Sequence, residues 1–97
     1  MRSLPVLAQT GCPVVFDATH SVQSPGSTGQ TTGGRPEMIP LLARCGVAAG
    51  ADALFVEVHP EPARALSDAG SQMPLARFAP LIGVLSRFRV QYQEAIR

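Results

Sequence analysis

The sequence predicts an α/β protein in which parallel strands are joined by helices, on three observations. Two short apolar runs, Pro13-Val14-Val15-Phe16-Asp17 and Ala53-Leu54-Phe55-Val56-Glu57, are bounded by Gly or Pro and each ends in reactive polar residues. A stretch with helical spacing lies between them, and a second one closes the chain. Short apolar runs without alternation suit strands covered on both faces. A strand, helix, strand order makes the strands parallel and brings both polar ends to one rim. That rim is where α/β folds keep their active sites.

Each element has a local reason. Residues 1 to 11 read as a helix end and a turn, broken by Gly11 before the first strand at Pro13 to Asp17. Ser24-Pro25-Gly26-Ser27-Thr28-Gly29-Gln30-Thr31-Thr32-Gly33-Gly34 reads as a long loop, the kind that serves as a lid at such a rim. Pro36 suits a first helical position, and Met38, Leu41, Leu42, Cys45, Ala48 and Ala49 recur at helical spacing until Gly50. The second strand covers Ala53 to Glu57. Pro60 and Pro62 then precede a short helical piece, Ala63 to Leu66, and Ser67 to Gln72 forms a polar loop. From Leu75 on, Phe78, Leu81, Ile82, Leu85, Phe88, Tyr92 and Ile96 mark one face of a terminal helix, with Pro80 tolerated in its opening turn.

The 97 residues are 45% hydrophobic, which bounds the chain to one small globular unit. Its net charge is +1 and its eight basic residues are all arginines scattered along the sequence, so no patch points to nucleic acid. No apolar stretch approaches the roughly 20 residues needed to cross a bilayer, and Met1 to Pro5 lacks the apolar core of a secretory signal. The expectation is a cytoplasmic chain without membrane contact. Cys12 and Cys45 lack CxxC spacing and read as reduced, buried thiols. Two parallel strands with their helices cannot bury both sheet faces, whereas a (β/α)8 barrel takes about 250 residues. Residues 1–97 are therefore expected to be the C-terminal portion of a single barrel domain, about its last two strand-helix units, incomplete as an independent barrel and encoded by a partial reading frame.

His20, Glu57 and Asp68 are the chemistry-bearing residues that this architecture brings together. One imidazole and two carboxylates form a nitrogen and oxygen donor set suited to Zn, Fe, Mn or Co, with positions left open for water or substrate. By itself, a histidine at a strand end is more often a hydrogen-bonded structural residue than a ligand. Asp17, delivered to the same rim, is a further catalytic candidate or a cap of the turn. Gln23 and Ser21 are candidates for orienting the loop, and His59 reads as structural beside Pro60.

Several words alter that balance. Met1-Arg2-Ser3-Leu4-Pro5, Phe16-Asp17-Ala18-Thr19-His20-Ser21-Val22-Gln23, Gly33-Gly34, Leu54-Phe55-Val56-Glu57-Val58-His59-Pro60, Ala65-Leu66-Ser67-Asp68 and Met73-Pro74-Leu75 occur in one order and at fixed separations. In this the chain closely resembles the C-terminal part of the 3-deoxy-manno-octulosonate 8-phosphate synthase family, from residue 1 to about residue 85. The resemblance implies an aldolase-type (β/α)8 transferase, usually a homotetramer. Such an enzyme condenses phosphoenolpyruvate with D-arabinose 5-phosphate and releases phosphate, making an inner-core sugar of lipopolysaccharide.

The resemblance also places His20, Glu57 and Asp68 on the family's metal positions. The fourth ligand is a cysteine on an early strand that neither Cys12 nor Cys45 matches. The family has metal-dependent and metal-independent branches, and Ser67-Asp68 with Ser71-Gln72 looks more like the former. Ser24 to Gly34 corresponds to a mobile loop over the active site. Gln23 and Arg35 fall to substrate binding, Arg35 as a phosphate partner. This chain has Thr32-Gly33-Gly34-Arg35-Pro36 where the family writes Ser-Gly-Gly and then Gln-Arg or Arg-Arg, and Asp68-Ala69-Gly70 where Asp-Gly is customary. A second reading is an inactive fragment, or a small interaction protein that docks to barrel subunits through its apolar terminal helix. A third is the related heptulosonate-phosphate synthase, against which Asp17-Ala18-Thr19-His20-Ser21 argues.

Overall fold

The computed structural model describes residues 1–28 and 31–96, with the backbone alone for 24–28 and 31–33. Helix α1 (Ser3–Ala8) ends in a turn at Gly11, whose φ of +82° is open to glycine without a Cβ penalty. Strand β1 (Val15–Asp17) follows, then a single 3-10 turn at His20–Val22. Strands β2 (Gln23–Thr28) and β3 (Thr31–Gly34) come next, and a 3-10 turn opened by Pro36 leads into helix α2 (Ile39–Ala48). Strands β4 (Ala53–Phe55) and β5 (Val58–His59), a short 3-10 turn at Pro62–Arg64, strand β6 (Met73–Pro74) and helix α3 (Phe78–Ala95) complete the order.

The predicted strand, helix, strand unit is present. β1 and β4 run parallel, with Val15 opposite Ala53, Phe16 opposite Leu54 and Asp17 opposite Phe55. Their entry is locked by Asp52, whose carboxylate accepts the Val14 N–H at 2.8 Å while its own N–H donates to the Val14 carbonyl at 2.9 Å. α2 ends at Gly50, in the left-handed region at φ +98°, as expected for a helix stop. The helix crosses β1 closely at Gly46, where any Cβ would run into the ring of Phe16. α3 packs along α2 and is tied to the start of β4 by Arg89, which donates to the Ala51 carbonyl at 3.3 Å and lies over the Tyr92 ring. The core between these layers holds Ala18, Val22, Ile39, Ala43, Val47, Met73, Leu81 and Leu85.

Four expectations are corrected. The strands are covered on one face only: Phe16, Leu54 and Val56 pack on the core, whereas Val15 and Phe55 remain 58% and 46% exposed. Alternate side chains point to opposite faces of a strand, and α2 and α3 cover only one of them. The long Ser/Thr/Gly segment is an antiparallel ribbon over its described part, pairing Gln23 with Gly34, Ser24 with Gly33 and Thr28 with Thr31. The irregular register between Ser24 and Thr28 spans Pro25, which has no N–H to give to a ladder. Gly29 and Gln30, the centre of the expected loop, lie outside the described residues. Cys12 is exposed rather than buried, while Cys45 is partly buried, and both are free thiols. The apolar stripe of α3 is only partly covered: Leu81 and Leu85 are buried, but Ile82, Phe88 and Ile96 are exposed. One strand pair escaped the sequence reading, the parallel β5 and β6, which set Val58 opposite Met73 and His59 opposite Pro74.

Candidate functional site

Parallel β1 and β4 finish at the same end of their sheet, and the turns that follow them meet there. Asp17, the last residue of β1, accepts the His20 N–H at 2.9 Å through Oδ1. Its Oδ2 lies 2.7 Å from His20 Nδ1. One carboxylate thus caps the turn and holds the imidazole at its tip. In the tautomer that donates Nδ1–H to Asp17, the lone pair of Nε2 faces the other way. It faces Glu57 Oε1 at 3.6 Å and Asp68 Oδ2 at 3.5 Å. The Phe55 ring lies tilted beside the imidazole, 5.9 Å away between centroids.

The two acids arrive differently. Glu57 leaves the end of β4 with its N–H donated to Thr19 Oγ1 at 2.7 Å and its carbonyl accepting the Met73 N–H at 3.1 Å. Asp68 comes from the loop before β6 and has a φ of +51°, a left-handed conformation that Asp tolerates better than most residues. The Gln23 side-chain amide donates to Asp68 Oδ1 at 2.9 Å and to Ser71 Oγ at 3.1 Å, so only Oδ2 of Asp68 is left towards His20. The side chains of Glu57 and Asp68 are 24% and 26% exposed and that of His20 is 40% exposed, so the cluster is reachable from solvent.

One ligand atom from each of His20, Glu57 and Asp68 can be chosen so that all lie within 4.8 Å of one another. Metal–ligand bonds of about 2.0–2.2 Å set neighbouring donors of a tetrahedral ion roughly 3.3–3.6 Å apart, which is the spacing from Nε2 to either carboxylate. The donor set therefore fits a divalent ion. The acids also act on the imidazole: the hydrogen bond from Nδ1 to Asp17 raises the His20 pKa above the ordinary imidazole value. Desolvation opposes this, and the Asp17 charge, the Asp68 hydrogen bond and the Glu57 charge add to the rise.

Of the residues singled out from the sequence, His20, Glu57 and Asp68 converge, with Asp17 behind the imidazole and Gln23 behind Asp68. Arg35 takes another course. Its Nε donates to Glu37 at 3.1 Å, both side chains are well exposed, and among the described residues it makes no bond to the cluster. His59 is structural as expected, its Nδ1 accepting the Glu61 N–H at 2.9 Å. Neither cysteine belongs to the cluster. The residues missed from sequence are Thr19 and Ser71, both fully buried; their only signal was a hydroxyl within a quoted word. A cavity of about 410 Å³ lies on the proline-lined flank between Pro36, Pro62, Met73 and Arg77, and no cluster residue lines it.

A parallel strand pair backed by helices, with an imidazole and two carboxylates gathered beyond the strand ends, defines an α/β protein with a candidate site at the rim of its sheet. Residues 1–93 match the profile of the DAHP synthetase I family, and the chain belongs to that family. It is 60% identical over 85 residues to a protein of Acidithiobacillus ferrooxidans named 2-dehydro-3-deoxyphosphooctonate aldolase, a match covering 88% of this chain and 30% of that protein. A protein of the same name from Hydrogenovibrio crunogenus is 56% identical over 82 residues, or 84% of this chain and 30% of its own. Among solved structures, the phospho-2-dehydro-3-deoxyheptonate aldolase (DAHP synthase) of Thermotoga maritima superposes with a TM-score of 0.60 at 32% identity, over 77% of this chain and 19% of that one. The chain thus spans about 30% of the length of the curated relatives it matches.

Proposed function

We propose that residues 1–97 are the C-terminal portion of a single (β/α)8 synthase domain. This synthase condenses phosphoenolpyruvate with D-arabinose 5-phosphate to give 3-deoxy-D-manno-octulosonate 8-phosphate and phosphate. The observation that carries the reading is the convergence of His20, Glu57 and Asp68 at one sheet end, in a chain 55–60% identical to proteins named for the octonate. The heptonate alternative is disfavoured by the lower identity, 32%, to the heptonate enzyme of known structure. Membership of a homotetramer and a cytoplasmic setting belong to the same proposal. No described helix is long and apolar enough to cross a membrane.

The chemistry accounts for the residues. The methylene carbon of the enolpyruvate attacks the aldehyde carbon, a C–C bond forms, and the carbonyl oxygen gains negative charge and then a proton. Water adds to the adjacent enolpyruvate carbon, and the phosphate on that carbon leaves as the keto group forms. A site for this reaction must stabilise developing alkoxide charge and hold one water in place. In our reading His20 Nε2, Glu57 and Asp68 hold a divalent ion (Zn, Fe, Mn or Co). When bound, such an ion supplies a Lewis acid and a template for that water. Asp17 keeps the imidazole in the tautomer that presents Nε2, and Gln23 keeps Asp68 Oδ2 turned inwards. In a metal-independent enzyme the same three side chains orient the water and exchange its protons. Arg35 reaches a substrate phosphate only after leaving Glu37, and in our reading the segment from Ser24 to Gly34 serves as the covering loop that excludes water.

The test is a chimera in which this chain's residues 1–85 replace the matching segment of the Acidithiobacillus ferrooxidans relative. It is expected to release phosphate from phosphoenolpyruvate with arabinose 5-phosphate and not with a tetrose phosphate. His20→Ala or Asp68→Ala in the chimera should lower kcat/KM at least ~100-fold. A folded chimera that is inactive, that prefers the tetrose phosphate, or that tolerates both substitutions would overturn the proposal.

A further inference from the structure

Buried hydroxyls are informative because an apolar residue of the same size would fill the space without needing a partner. Thr19 and Ser71 are polar side chains with no exposed surface, and no described buried side-chain nitrogen or oxygen lacks a hydrogen-bond partner. Both are hydrogen-bonded to the backbone of a residue of the His20 cluster. Thr19, in the turn after β1, receives the Glu57 N–H at 2.7 Å. The neighbouring Ala18 N–H donates to the Phe55 carbonyl at 3.0 Å, so two bonds stitch the turn that carries His20 to the strand end that carries Glu57. The Met73 N–H holds the other side of Glu57 by donating to the Glu57 carbonyl, so both peptide groups flanking that acid are fixed.

Ser71 does the equivalent for the second acid. Its N–H and its Oγ–H both donate to the Asp68 carbonyl, at 2.9 and 3.2 Å, which closes the turn around the left-handed Asp68. Ser71 Oγ also receives one hydrogen of the Gln23 amide at 3.1 Å, while the other goes to Asp68 Oδ1 at 2.9 Å. Gln23 is thereby anchored at two points and aims Asp68 Oδ2 at the imidazole. Gly34 lets the base of β3 press against this turn, since a Cβ there would come within 3.1 Å of the Gly70 carbonyl oxygen and 3.3 Å of Ser71 Cβ.

We propose that Thr19 and Ser71 are the positioning residues of the site, each pinning the backbone of one acid so that Glu57 and Asp68 face the same nitrogen of His20. The inference rests on the metal-site reading above and assigns the geometry of that site to two hydroxyls outside the ligand set. Outer groups that orient ligands are commonly worth about 10–100-fold in metal affinity.

The experiment is a Co(II) titration of the chimera described above, followed by its visible absorption, in the parent, Thr19→Val, Thr19→Ser, Ser71→Ala and the α2 core variant Val47→Ala. Thr19→Val and Ser71→Ala should weaken binding about 10–100-fold. Thr19→Ser keeps the hydroxyl and should bind like the parent, as should Val47→Ala although it loses stability. Parent-like binding by Thr19→Val and Ser71→Ala, or equal weakening in Val47→Ala, would overturn the assignment. Should the parent chimera itself bind no Co(II), the metal reading falls and amide exchange decides the Thr19 pin on its own. Thr19→Val, but not Thr19→Ser, should then speed exchange of the Glu57 amide by on the order of ten-fold relative to that of Ala18. Unchanged exchange there would overturn the pin as well.

Discussion

His20 is the residue on which the site turns, and Asp17 decides its state. A pKa raised in the folded chain means that the folded state binds the proton more tightly than the unfolded one, whose imidazole titrates near about 6.5. The resulting stabilisation is fully present below that value and is lost as pH rises through the raised folded pKa. Metal binding has the opposite dependence, because the ion needs the lone pair of Nε2, so affinity should fall as pH is lowered through the same range. Asp17→Asn removes the charge but keeps an acceptor for the His20 N–H. The expectation is a His20 midpoint that moves down towards the ordinary value, read from the ring proton shifts in an NMR titration of the metal-free chain. A midpoint that stays put would show that Asp17 does not set the imidazole's charge. At this scale the three ligand-type residues were legible in the sequence because each follows or ends a recognisable segment. Thr19 and Ser71 were not, because a hydroxyl declares its purpose only through a partner far along the chain.

At the scale of elements, α2 approaches β1 closely at Gly46. Gly46→Ala gains about 1 kcal/mol of helix propensity, but it drives a methyl group into Phe16, and overpacking of this kind typically costs about 1–3 kcal/mol. We expect a net loss of about 1 kcal/mol in urea denaturation, partly recovered by Phe16→Leu in the same background. A more stable Gly46→Ala chain would mean that the helix can lift without cost. Ile39, the largest fully buried side chain, opens α2 against the core; its replacement by Ala should cost about 2–5 kcal/mol by the same assay. The helices and the β1 and β4 strands were readable because spacing at Met38, Leu42 and Cys45, or an unbroken apolar run, is a local signal. The ribbon of β2 and β3 carries no such signal, since its run of Ser, Thr and Gly has no alternation of apolar residues. β5 and β6 are two residues each and exist only because Met73 lies against Val58.

For the whole molecule, the decisive feature is the open face of the β1 and β4 sheet. Val15 and Phe55 stand exposed there beside the candidate site, and an apolar patch of this kind favours association. Replacing both, as Val15→Thr with Phe55→Ser, should lower binding of a hydrophobic dye and shift the chain towards monomer in sedimentation. Its unfolding free energy should change by no more than about 0.5 kcal/mol. Undiminished dye binding would locate the sticky surface elsewhere, on the exposed side of α3 for instance. The sequence by itself determined the parallel strand, helix, strand order and the rim at which His20 and Glu57 emerge, because chain order and periodicity dictate both. Only the tertiary structure decided which strand face is covered, that Asp68 turns left-handed to meet the imidazole, and that Arg35 turns away to Glu37. Each of these depends on contacts between segments distant in sequence, and local pattern holds no record of such contacts.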